Sequence, residues 1–212
     1  KKIFTILLLS VAMMTMAQEV PASFPRKFLI EHFTGTWCAY CPYGMMAIDY
    51  AAQMSETPYV WVSHHMDDNY SINEGYEIYG IYAAAVPETE QGVPSMMLNR
   101  SQQSQGMGFH PGYLPDMTIT DATTAEASVV IDHTYNAETR QLDITVSGQV
   151  TNTTTTAYLL TVLIKENGII SSQSDAYFAW GSQWKEFIHP RLSRAFISAA
   201  MGDRVNVTNQ AY

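Results

Sequence analysis

An α/β domain followed by an all-β domain is the fold class this sequence predicts, on three observations. Apolar periodicity changes near residue 125, from apolar runs alternating with helix-like stretches to almost pure period-two alternation. Apolar runs at 27–33 and 58–63 flank a helix-like stretch, which implies a right-handed crossover and a parallel strand pair. In the second half, Asn167-Gly168 stands between two strand-like segments and signals a hairpin.

The chain of 212 residues has room for one large domain or two small ones. With 47% hydrophobic and only 15% charged residues, long disordered stretches are not expected. Lys1 and Lys2, the apolar stretch Ile3 to Met14 and the small-residue site Thr15-Met16-Ala17 read as a secretory leader over 1–17. That apolar stretch is too short to span a bilayer comfortably, and no cysteine follows it to mark a lipid anchor. The formal net charge is −9, and loss of the two leader lysines makes it more acidic still. Such a balance argues against nucleic acid or an anionic membrane surface as a partner. An exported protein of the periplasm or the outer-membrane cell surface is the expectation.

In the first half, Lys27 to Phe33 reads as a buried strand and Thr34-Gly35-Thr36 as a turn. Cys38 to about Met54 reads as a helix carrying Met45, Met46, Ile48 and Ala52, and Pro58 to Ser63 as the second strand. A helix is expected around Ile72 to Ala85, and a third strand at Ser95 to Asn99 after Gly92-Val93-Pro94. Residues 101–113 read as a loop, with a weak last helix between Pro115 and Ala125. The first domain is thus placed at 24–124.

In the second domain, 125–212, Leu142, Ile144, Val146 and Val150 alternate with polar residues, giving a strand with one wet face. Val129 and Ile131 belong to a preceding strand, Tyr158 to Lys165 form a following one, and Arg204 to Thr208 another. Short antiparallel strands with polar turns predict an immunoglobulin-like β-sandwich. The strand count is low for a closed sandwich: either the sandwich is small or, the favoured expectation, its last strands lie beyond Tyr212.

The two cysteines, Cys38 and Cys41, form one C-x-x-C at the predicted start of a helix. A ring this short constrains the unfolded chain little, so chemistry explains it better than stabilisation. Unpaired backbone N–H groups and the positive end of the helix dipole favour thiolate at Cys38 and make it the attacking sulfur. Cys41, about one turn further in, is placed to resolve a mixed disulfide. Trp37 would offer partners a flat apolar contact, and Pro42 sits where a helix tolerates proline. The bland alternatives are an inert disulfide, or half of a zinc site completed from His32, His64 and His65. No bound metal or other cofactor is expected beyond the redox-active disulfide itself. Met45, Met46, Met96 and Met97 read as core filler, and Trp180, Trp184, Phe178 and Phe187 as packing in the second domain.

The stretch Phe33-Thr34-Gly35-Thr36-Trp37-Cys38-Ala39-Tyr40-Cys41-Pro42 resembles the thioredoxin active site. Gly92-Val93-Pro94 resembles that family's cis-proline loop, which implies that Val93 and Pro94 shape a peptide groove with Trp37. Thioredoxins carry a buried acid six residues before the first cysteine, where this chain has His32, with Glu31 beside it. Alternation puts those two on opposite faces, so at most one can serve the site. Glu31, His32, Tyr40, Pro42 and His65 are the candidate modulators.

A resemblance covering nearly the whole chain rests on the Phe-Thr-Gly…Cys-x-x-Cys-Pro stretch, His65, Gly92-Val93-Pro94, Leu163 to Ile170 and His189-Pro190-Arg191-Leu192. Together these are similar to the Omp28-related outer-membrane protein family of Bacteroidota. The resemblance implies a thioredoxin-like domain joined to an all-β domain, and peripheral association with the outer membrane. Two functions follow as expectations. One is thiol–disulfide exchange with envelope proteins that carry thiols or disulfides. The other is an adhesin or receptor that uses the thioredoxin fold as a scaffold.

Overall fold

The computed structural model describes residues 21–54, 58–100, 124–151, 157–176 and 183–205. The leader read at 1–17, the loop at 101–113, most of the helix expected at 115–125, Phe178 and Trp180 lie outside these residues.

After the short β1 (Phe24–Pro25), β2 (Phe28–Thr34) carries apolar residues on either side of Glu31 and His32 and is buried on both faces. A strand covered on both faces suits a parallel sheet with helices on either side. A turn follows, and α1 (Cys41–Met54) leads into β3 (Tyr59–His65), which pairs with β2 in parallel from Phe28↔Tyr59 to Thr34↔His65. Next comes α2 (Asn73–Ala85), which buries Gly75, Ile78 and Tyr82 at helical spacing. All four residues of β4 (Ser95–Leu98) are buried, and it runs antiparallel to β2 on the side away from β3.

Period two divides the side chains of this sheet between two cores. Phe28, Ile30, Trp61, Met96 and Leu98 pack with Met45, Ala47 and Ile48 of α1. Phe33 and Met97 pack with Ile78 and Tyr82 of α2, together with Met66 and Ala200. The result is a sheet between two helices.

The chain after residue 124 begins with β5 (Thr124–Ala125), which pairs with β1, where a helix end was expected. β6 (Val130–Asn136) and β7 (Gln141–Ser147) form an antiparallel ribbon. The single strand expected over Tyr158 to Lys165 is two: β8 (Tyr158–Leu160) and β9 (Leu163–Glu166). Beyond them lie β10 (Ile169–Ser174), β11 (Gln183–His189), β12 (Leu192–Phe196) and β13 (Asp203–Val205).

Two of these strands extend the first sheet. β12 pairs in parallel with β3 through Leu192↔Ser63, and β9 lies antiparallel beyond it, giving the order β4-β2-β3-β12-β9. The sheet therefore crosses the boundary expected near residue 125. Among the described residues the remaining strands are two-stranded ribbons, β6–β7, β8–β13 and β10–β11, and the two facing sheets of a sandwich are not formed. The Asn167-Gly168 hairpin is also corrected. Gly168 does adopt a positive φ of 77°, but β9 pairs with β12 and β10 with β11, so the turn passes the chain between sheets.

One buried ion pair ties the early strands to the late ones. The Arg100 guanidinium grips Glu31 of β2 in a two-pronged bond, Nε to Oε2 at 2.9 Å and Nη2 to Oε1 at 2.8 Å. Its remaining nitrogen donates to Thr161 Oγ1 at 3.1 Å and to the Ala200 carbonyl at 2.8 Å. Burial pushes the Glu31 carboxyl up, but hydrogen bonds from His64 and Arg100 and the Arg100 charge outweigh it and hold it below its ordinary value. Replacing Arg100 by Met leaves that carboxylate buried without its counter-charge. Urea unfolding of Arg100→Met should show a loss of about 3 kcal/mol or more. A loss under about 1 kcal/mol would mean that water replaces the guanidinium.

Candidate functional site

Two successive turns carry the chain from β2 into α1. The Cys38 amide donates to the Gly35 carbonyl at 3.1 Å and the Cys41 amide to the Cys38 carbonyl at 3.3 Å. The helix thus begins at Cys41 rather than Cys38, and the two cysteines are joined as a disulfide across the entry turn. Their flanking aromatics, Trp37 and Tyr40, are 51% and 61% exposed. Trp37 is nevertheless anchored, since its indole N–H donates to the Met66 carbonyl at 2.8 Å.

The Val93–Pro94 peptide bond is cis, and Pro94 is buried against the first turns of α1. Gly44 makes that approach possible, because a Cβ there would stand 2.7 Å from Pro94 Cβ. The same absent Cβ would stand 3.4 Å from His32 Nε2, so His32 lies under the start of α1 beside Pro94. Val93 faces the other way and packs with the α2 core. Pro42 is buried in the first turn of α1.

The candidate modulators separate as alternation requires. Glu31 points to the α2 side of the sheet, into the Arg100 and His64 network, and is not part of the disulfide site. His64 goes with it, bonding Glu31 Oε1 at 3.3 Å and Ser193 Oγ at 3.0 Å while stacking on Phe33. His32 and His65 lie on the α1 side. His65 Nδ1 is 2.7 Å from Asp68 Oδ2, and that same oxygen accepts the Thr36 amide at 2.8 Å, which fixes the loop before the cysteines. Burial raises the Asp68 carboxyl, but the His65 hydrogen bond and charge, with the Thr36 and Tyr70 amides, outweigh it and leave it lowered.

Three further groups reach this face from the second half of the chain. His189, at the end of β11, sits with its ring 5.3 Å from that of His65 and its Nε2 3.2 Å from Ser171 Oγ. Gln173 of β10 is fully buried and donates from Nε2 to the Cys38 carbonyl at 2.8 Å and the Gly35 carbonyl at 3.1 Å. Asp175 accepts from the Tyr43 hydroxyl of α1 at 2.8 Å. Sequence reading missed all three roles. His189 stood out only as part of a motif, and nothing local distinguishes Gln173 from any other polar residue of an alternating strand. With this segment across it, Cys38 is only 4% exposed and Cys41 is fully buried.

Two imidazoles on the α1 side, His32 and His189, are held neutral by burial. Burial, with His65 and His64 nearby, pushes His32 down to about 3. Burial and the facing His65 push His189 down to about 4, against smaller pulls upward from the Ser172 backbone and Asp68. His32 Nε2, His65 Nε2 and His189 Nδ1 are buried without a hydrogen-bond partner among the described residues. Among those residues no three His, Cys, Asp or Glu side chains are grouped so as to hold a metal ion.

Fold and site together define a class: a mixed sheet between two helices, with a C-x-x-C disulfide at a helix entrance beside a cis-proline loop. The family model described as Outer membrane protein Omp28 matches residues 89–212, more than half of the chain, and the chain belongs to that family. The matched stretch includes Val93, Pro94, Gln173, Asp175 and His189 but begins after both cysteines. Membership fits an exported, envelope-associated protein. The structure is similar to HBP35 of Porphyromonas gingivalis, with a TM-score of 0.72 and 20% identity over 89% of this chain. The chain spans 62% of that protein, and the likeness is one of fold. A protein of Agrobacterium tumefaciens aligns over 86% of this chain and 77% of its own at 14% identity, with a TM-score of 0.36 that carries no argument. No curated protein matches the sequence.

The neutral imidazoles set a pH dependence of stability. An unfolded histidine takes up its proton near pH 6.5, whereas His189 and His32 stay neutral in the fold to about pH 4 and about pH 3. Below pH 6.5 the unfolded chain therefore binds more protons, and stability should fall with acidification by up to about 1.4 kcal/mol per pH unit for each group. Glu31 and Asp68, whose carboxyls are lowered, keep their contribution through this window and lose it only at lower pH. Urea midpoints between pH 7 and 4.5 measure the slope, and His32→Leu should flatten it by one proton. A flat wild-type profile would show that the fold itself takes up these protons.

Proposed function

We propose that this is an exported envelope protein whose thioredoxin-like domain carries out thiol–disulfide exchange through Cys38 and Cys41. The observation that carries this reading is the Cys38–Cys41 disulfide at the entrance of α1, with the cis Val93–Pro94 bond packed against the same helix. The strand order β4-β2-β3, with β4 antiparallel and the helices on opposite faces, supports the thioredoxin-like assignment. The leader read at 1–17 and the family support export.

In the exchange step a partner's thiolate attacks Cys38 Sγ. As the mixed disulfide forms, the Cys38–Cys41 bond breaks and Cys41 leaves as thiolate, then takes up a proton. A second thiol of the partner attacks its own bridged sulfur and releases Cys38. The partner has lost two electrons and the pair has gained them; the reverse sequence reduces a partner disulfide. The amides at the start of α1 stabilise the thiolates. The chemistry needs no cofactor, and its partners are envelope proteins with thiols or disulfides.

The burial of both sulfurs favours a second reading, an outer-membrane-associated adhesin or receptor in which the disulfide only holds the turn. A redox titration separates the two. Free thiols counted by alkylation in graded dithiol buffers should give a midpoint between about −120 and −270 mV for an exchange pair. Cys38→Ala should then leave Cys41 able to form mixed disulfides only slowly, while Cys41→Ser traps partners on Cys38. A midpoint below about −300 mV, with no trapped partner, would leave the scaffold reading.

A further inference from the structure

We propose that Gln173 to Ala176 form a strap closed over the Cys38–Cys41 disulfide, and that local opening of this strap gates access to the sulfurs. The proposal rests on the exchange reading, since a gate matters only where a partner must reach the disulfide.

The strap runs along the entry loop as an extended segment bonded by backbone and side chain alike. The Ser174 amide donates to the Thr36 carbonyl at 2.8 Å, and the Ala176 amide to the Ala39 carbonyl at 3.0 Å. Between them the Gln173 amide group bridges the Gly35 and Cys38 carbonyls, and Asp175 is tied to Tyr43 on α1. These contacts bracket the disulfide from Gly35 to Tyr43. Both sulfur-bearing residues are buried beneath them, although Trp37 and Tyr40 on the same loop are exposed.

The segment comes from an irregular ribbon. The β10–β11 register shifts between Ser171 and Gln173, so that Lys185 and Glu186 both stand opposite Ser172. The extra residue lies on β11, and such a bulge bends and twists the ribbon beside Gln173, which keeps the alternation of β10 and faces the loop. The closed state also carries a cost, because Gln173 Oε1 is buried with no partner among the described residues. Opening lets water reach that oxygen and the loop carbonyls, which sets the strap among the weaker, locally opening parts of the fold. Exchange at a disulfide depends on the access of the attacking thiolate to sulfur. A closed strap denies that access without any covalent change.

The test uses the full chain and two variants. Gln173→Ala removes the side chain's bonds to the Gly35 and Cys38 carbonyls, and Tyr43→Phe removes the Asp175 tie while keeping the ring. The rate of disulfide reduction by excess dithiothreitol should rise about 5- to 30-fold in Gln173→Ala and about 5-fold in Tyr43→Phe. Hydrogen exchange at the Ser174 and Ala176 amides should accelerate by the same factors, with global stability above the level at which whole-chain unfolding could account for it. Unchanged reduction rates while those amides lose protection would overturn the gate, as would reduction that proceeds only through global unfolding. Should Gln173→Ala not fold, Tyr43→Phe gives the same two readouts. The redox midpoint is an equilibrium quantity and fails separately. Faster reduction with a structural midpoint keeps the strap and sinks exchange; an exchange midpoint with unmoved rates does the reverse.

Discussion

The parallel pairing of β2 with β3 is the constraint from which the site follows. Its register sets His32 beside Ser63 and Thr34 beside His65, and period two then decides which side chains meet α1. His32, Ser63 and His65 come to the disulfide side, while Glu31 and His64 go to the other. A slip of one residue would exchange these sets and drive the Glu31 carboxylate under α1. The two apolar cores, on opposite faces of the same strands, hold the register in place.

Each face buries polar groups, but in opposite styles. On the α2 side the charges are matched: Glu31 meets Arg100 and His64, and Arg100 also reaches Thr161 and Ala200. Such a closed network fixes how the late segments sit against the early strands, because each partner's removal strands another group. On the α1 side lie the imidazoles of His32, His65 and His189, each with a buried ring nitrogen that has no hydrogen-bond partner among the described residues. Burial holds His32 and His189 neutral there. The matched side serves cohesion, and the unmatched side is where a protein would store chemical reactivity at some cost in stability.

Elements of the first half were legible because their signals are local. The buried run of β2, the helical spacing of α2 and the turn before the cysteines each fit within a dozen residues, and the observed elements begin within a few residues of their expected places. Pairings of the second half were not, because a short strand carries no mark of its partner. Leu192 and Ser193 read as any apolar–polar pair, yet their strand joins a sheet whose first strand starts at Phe28. Asn167-Gly168 shows the limit most clearly: its turn chemistry is local and correct, while the hairpin it suggests is a statement about pairing. Within the site, the cysteines and Pro94 were evident from sequence. Gln173 was not, since its meaning lies in the carbonyls it meets across 135 positions of chain.

The position of β12 also has a consequence for how the chain is made. Until β12 emerges from the ribosome, β3 presents a bare strand edge, because its neighbour on that side is Leu192 to Phe196. A nascent chain carrying only the first helices and strands is thus an open sheet, unable to close by local contacts alone. Closing it means joining segments far apart in sequence, a slow step with exposed apolar surface while it waits. Such a chain has reason to stay unfolded during synthesis. An unfolded chain is also the form in which a polypeptide is most easily threaded through a narrow pore.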